Sequence, residues 1–147
     1  MILLLPLAAL SGAVIADAAQ KHTGLRRDYA SVQRGEMGVE EFAKSYGLKA
    51  VPRLPQGDFT HYDCGSHAQR FSDKMYGRGK WKTGEEISWA DAQIGDWVEY
   101  DGWHIGVIIN SDRRWVESCW GVEGVVFQHP ADVSPYKNPR VVQVIQK

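Results

Sequence analysis

The sequence predicts an α+β fold in which a cysteine-bearing helix packs on a small antiparallel sheet. Three observations carry that expectation. A helical pattern begins at Asp63 and Cys64 and stops at Gly77 and Gly79. The stretch from Trp97 to Trp120 reads as short alternating strands joined by turns. The chain has 147 residues, one domain's length and enough for a core without staples.

Residues 2–16 are an apolar run ending in Ala16-Asp17-Ala18, the pattern of a signal peptide's h-region and its small-residue cleavage site, although no Lys or Arg precedes it. The run is shorter than the roughly 20 residues that span a bilayer. Residues 1–18 are therefore an apolar N-terminal segment that is cleaved, inserted in a membrane or docked on a partner. Residues 19–50 form a polar, helix-compatible region. Helices are expected over 25–34 and 39–46, divided by Gly35 and Gly38 and ended by Gly47. No chemistry is expected in this region, and His22 is read as solvated.

The third region, 51–147, opens with a loop over 51–58, marked by Pro52, Pro55 and Gly57. Asp63 is then a good N-cap, because its carboxylate can accept from free backbone N–H groups of the next turn. Cys64 falls at the first helical position, and Ala68, Phe71 and Met75 follow it at helical spacing as an expected core-facing stripe. A thiol there feels the positive end of the helix dipole, which lowers its pKa from about 8.5 and favours the thiolate that a nucleophile needs. The plainer alternative is a small buried hydrophobe. Two cysteines, Cys64 and Cys119, make no disulfide framework, but one bridge between them would block the chemistry.

All six tryptophans lie between Trp81 and Trp120, as sheet core or as aromatic faces of a ligand groove. Strands are expected over 97–100, 104–110 and 115–120, the first two joined at the hairpin signal Asp101-Gly102, with further pieces over 125–128 and 141–145. Alternation puts His104, Gly106, Ile108 and Asn110 on one face of their strand, and Trp115, Glu117 and Cys119 on one face of the next. Glu117 is then expected to approach the His104 ring and hold it while His104 takes the proton of Cys64.

Charge narrows the partners. With 17 basic and 18 acidic residues, nothing argues for nucleic acid or for electrostatic attachment to a membrane surface. A metal site is a rival reading, since His61, Cys64 and His67 are spaced three apart and Cys119 and His129 could add ligands.

Asp63-Cys64-Gly65-Ser66, Ile94-Gly95-Asp96-Trp97-Val98 and His104-Ile105-Gly106-Val107-Ile108-Ile109 together resemble the NlpC family of cell-wall cysteine peptidases and the related CHAP amidases, over roughly residues 60–120. The resemblance implies a papain-like core in region 51–147 and cleavage of peptide or amide bonds in peptidoglycan. It carries Cys64 over as nucleophile, His104 as general base and Glu117 as the third, polar residue, with no metal and no cofactor. Tyr62, which could shape the oxyanion site with the backbone N–H of Cys64, and Trp103 are the expected substrate-binding residues. The chain departs from the NlpC pattern in the order Gly65-Ser66 and in lacking a Pro-Tyr element upstream of the cysteine, and a glutamate third residue is closer to the CHAP pattern. The implied setting is secreted, periplasmic or virion-associated, with other virion or tail proteins meeting the N-terminal segment. The alternative is a non-catalytic structural or binding module of a phage tail or other assembly that keeps the hydrolase fold.

Overall fold

The computed structural model describes residues 24–147 apart from 56, 58, 59, 111, 113 and 114. The expectations for residues 1–18 and for His22 lie outside the described residues. Three α-helices are described: α1 (24–33), α2 (Val39–Tyr46) and α3 (Cys64–Tyr76). Seven strands accompany them: β1 (Lys49–Pro52), β2 (Trp81–Ile87), β3 (Trp97–Tyr100), β4 (His104–Ile108), β5 (Trp115–Ser118), β6 (Val125–Pro130) and β7 (Arg140–Gln146). They form one sheet in the order β1-β6-β5-β4-β3-β7-β2, with every pair antiparallel. The fold is α+β.

The expected meander β3-β4-β5 is present, and β6 and β7 extend it. Two strands were not legible. β2 has the burial pattern of a weakly patterned edge, and residues 51–52, expected in a loop, belong to β1 at the other edge. Pro52 closes β1, and strand ends at a sheet edge are where a missing N–H is tolerated. A boundary between 50 and 51 thus runs through a strand. Residues 24–50 also share a hydrophobic core with the sheet, where Leu25, Val32, Phe42, Ala43 and Leu48 pack with Trp120, Val122 and Phe127.

Register decides what each face of the sheet carries. Ser118 pairs with Phe127 and Gly106, so these residues share a face. Phe42 of α2 meets Phe127 there, with ring centroids 5.7 Å apart. Glu117 pairs with Val107 and Gln128, and Val107 with Trp97, on the opposite face. That second face carries α3, through Trp97 Nε1–H donating to Ser72 Oγ at 3.0 Å and through the contacts of Glu117 given below. Trp81 Nε1–H adds a bond to Asp73 Oδ1 at 2.7 Å.

The surface of α3 that meets the sheet is more polar than expected. Ser66, His67, Ala68, Arg70 and Ser72 are buried, whereas Met75, expected in the core stripe, is 46% exposed. The difference follows from what the sheet offers, an indole N–H and a carboxylate that need polar answers from the helix.

The turn after β3 is tight. Asp101 (φ 53°) and Gly102 (φ 79°) are both left-handed, and Trp103 N–H closes on Tyr100 O at 3.0 Å. Asp96 of the Ile94-Gly95-Asp96 motif is a structural staple, accepting from Gln93 N–H and Val144 N–H at 2.8 and 2.9 Å.

Gly106 marks a close approach of strands. A Cβ there would fall well inside van der Waals contact of Ser118 Oγ and Val116 Cγ1. Gly106→Ala is therefore expected to cost about 1–3 kcal/mol through overpacking and to lower Tm by several degrees in thermal unfolding. An unchanged Tm would show that β4 and β5 part more easily than this packing implies.

Candidate active site

The start of α3 is fixed by its cap. Asp63 is extended, its Oδ1 accepts from Ser66 N–H at 2.7 Å, and its own N–H donates to Ser66 Oγ at 2.8 Å, a reciprocal capping box. Burial pushes the Asp63 carboxyl up, but the Ser66 hydrogen bonds and nearby His61 outweigh it and hold the group below the usual carboxylate range. Cys64 is the first helical residue, half-buried, and both it and Cys119 are free. Burial pushes the Cys119 thiol up, Cys64 and Asp63 adding to the effect, against the Gly121 N–H and Arg53. Of the two, Cys64 is the thiol open to chemistry.

One turn after Cys64 the helix presents His67, which is fully buried. Its Nδ1 lies 2.5 Å from Tyr62 Oη. Its Nε2 lies 2.9 Å from Glu117 Oε1, a short but oblique contact that does not aim the N–H squarely at the carboxylate. Gln128 Nε2–H donates to the other carboxylate oxygen of Glu117 at 2.9 Å, and Leu54 N–H donates to Tyr62 Oη at 3.0 Å. A polar chain therefore runs from Leu54 through Tyr62, His67 and Glu117 to Gln128. Burial raises the Glu117 carboxyl, yet the bonds from His67 and Gln128, with the charges of His67 and Lys74, bring it below its ordinary value.

The expected partnership of Glu117 with His104 is corrected by the register. Val107, not His104, is opposite Glu117, and His104 shares a face with Gly106 and Ser118. A difference of one residue in pairing sends a side chain to the other side of the sheet. His104 thus points toward the α1–α2 side, 1% exposed, beneath Tyr136, whose ring stacks on it at 3.8 Å and 21°. Its Nε2 has no hydrogen-bond partner among the described residues. Burial, with a smaller contribution from His129, pushes its pKa down to about 3, so the ring is neutral. No hydrogen bond joins it to Cys64 among the described residues. His129, also fully buried, places Nδ1 2.7 Å from Pro130 O and Nε2 3.0 Å from Ser118 Oγ.

The expected substrate-binding residues are placed apart. Tyr62 is half-buried, its ring flanked by the guanidinium groups of Arg53 and Arg70 at 4.8 and 4.4 Å. Trp103 is 60% exposed and meets Tyr136 edge-on at 5.1 Å. Tyr136 Oη in turn lies 3.3 Å from Tyr29 Oη, and Tyr29 donates to Trp120 O. Region 19–50, read as free of chemistry, thereby reaches the surroundings of His104 through α1.

The metal rival finds its ligands otherwise engaged: His61 Nε2 lies 2.8 Å from Asp63 Oδ2, and His67 is held as described. Among the described residues no group of three His, Cys, Asp or Glu side chains could hold a metal ion, and no helix is long and apolar enough to cross a membrane.

Sequence reasoning missed His67 as the partner of Glu117 and weighed it only as a ligand. The available signal was its spacing three residues after Cys64, which puts both on one side of the helix. Compared with known proteins, the chain matches no family model, no curated protein and no solved structure.

Proposed function

We propose that the chain is a papain-like cysteine hydrolase that cleaves peptide or amide bonds in bacterial peptidoglycan, acting outside the cytoplasm or as part of a virion. The observation that carries this reading is Cys64, a free and half-buried thiol on the first residue of a capped helix that is docked on an antiparallel sheet. The thiolate attacks the carbonyl, the amine leaves with a proton from a histidine, and water hydrolyses the thioester. The resemblance gives the histidine role to His104, whose ring is stacked under Tyr136. Trp103, exposed beside that stack, offers an aromatic face to a sugar or peptide.

Digestion of purified sacculi of several wall chemotypes, with released fragments read by mass spectrometry, tests the proposal. Soluble fragments ending at a newly cut peptide or amide bond are expected. Folded protein that releases nothing from any of them would sink it.

The burial of His104 favours a second reading, a non-catalytic module of a phage tail or other assembly built on the same fold. In that case sacculi or tail components are bound and left uncut, and the same assay with a sedimentation step separates the two.

A further inference from the structure

We infer that His67, rather than His104, is the histidine that takes the proton of Cys64, with Glu117 as its counter-charge and Tyr62 as a lock on its basic nitrogen. This rests on the reading of Cys64 as nucleophile. Cys64 and His67 are the first and fourth residues of α3, neighbours on one side of the helix with Cβ atoms about 5–6 Å apart. His104 belongs to the other side of the sheet. The carboxylate that was to orient a histidine does touch one, and it is His67.

Tyr62 Oη accepts from Leu54 N–H, so its own proton is available to His67 Nδ1. In the neutral form that would take the proton, His67 carries its hydrogen on Nε2, beside Glu117 Oε1. The lone pair on Nδ1 is the basic site, and at rest Tyr62 occupies it. When the Tyr62 hydroxyl turns to water, the S–H bond of Cys64 breaks and an N–H bond forms at Nδ1. The products are a thiolate and an imidazolium beside the Glu117 carboxylate, with total charge unchanged. Besides Tyr62 and Glu117, the titratable and charged groups around the pair are Arg53 and Arg70 over the Tyr62 ring, Lys74, Cys119, Tyr136, and Asp63 with its partner His61.

The test is the rate of iodoacetamide alkylation at Cys64 against pH, assigned by peptide mass so that Cys119 is counted separately. Glu117→Gln keeps the side-chain shape and removes the counter-charge, and it should raise the apparent pKa of Cys64 by about one unit, the size expected for a lost opposite charge. Tyr62→Phe keeps the ring between the two arginines and releases Nδ1, and it should lower that pKa. A residue that only props the fold would not shift the profile in opposite directions. His104→Phe, which keeps an aromatic ring under Tyr136, should leave the profile in place. Near-UV circular dichroism confirms folding, and these variants avoid truncating the fully buried His67.

If Glu117→Gln and Tyr62→Phe leave the profile unmoved while His104→Phe raises the pKa, the inference is overturned and the hydrolase reading stands with His104 as base. If the wild-type thiol titrates near 8.5 and no variant moves it, the inference and the reading of Cys64 fall together.

Discussion

Cys64→Ala is expected to abolish peptidoglycan turnover, by at least ~10³-fold, and to leave the protein folded. The thiol is the bond-forming atom in the proposed chemistry, and no other described thiol is open, because Cys119 is 3% exposed. Stability should hardly change. The helix start depends on the Asp63–Ser66 capping box and not on the Cys64 side chain, and alanine is the most favourable residue within a helix. Sacculus digestion beside thermal unfolding checks both halves. A variant that digests at the wild-type rate would remove Cys64 from the mechanism, and one that fails to fold would assign it a packing role.

The second large effect is loss of stability in mild acid. Burial holds His104 at about 3 and His129 at about 4, below the ordinary 6.5 of histidine. The unfolded chain takes up protons near 6.5 where the folded chain does not. Stability is therefore fully present above about pH 6.5 and is lost as pH falls toward 4 and 3, at up to ~1.4 kcal/mol per pH unit for each ring. Lower in the same window the carboxyls of Glu117 and Asp63, held below their usual range, add to the loss in the same direction. Tm should fall continuously from pH 6.5 to 4.5. His104→Phe keeps an aromatic ring under Tyr136 and removes the unpartnered Nε2, so it should flatten part of the slope. A Tm that is level between pH 7 and 5 would mean that these rings are not held neutral in the interior.

The local signals in the sequence were strong where one residue governs its own neighbourhood. Asp63 could only help the helix by starting it, and Gly77 ends it; Asp101-Gly102 could only turn. The α+β class and the central meander follow from such signals. The site was less legible because it depends on which residue of β5 faces which residue of β4. A shift of one in that pairing exchanges Glu117 and Ser118 between faces. His104 and Glu117 were singled out as partners in one catalytic set; both are buried polar groups of the sheet, but they belong to different sides. β1 escaped notice because Pro52 reads as a loop residue unless the strand is known to lie at an edge. Tyr136 and Tyr29 gave no pattern at all, since their meeting over His104 is a product of tertiary packing.

The position of β7 has a bearing on how the molecule is made. Residues 140–146 lie between β3 and β2, so a ribosome releases β2 long before the strand that separates it from the rest of the sheet. Until then residues 81–87 have no hydrogen-bonding neighbour, and α3, tied to Trp81 and Trp97, cannot be clasped from both sides. β1 waits likewise for residues 125–130. The central hairpins can form during synthesis, but the β1 margin closes only after residue 130 emerges and the β2 margin only after residue 146. Such late, sequence-distant pairing slows folding and exposes strand edges meanwhile. A chain truncated before residue 140 would keep the Cys64 motif and the meander and still lack the strand that joins β2 to the sheet.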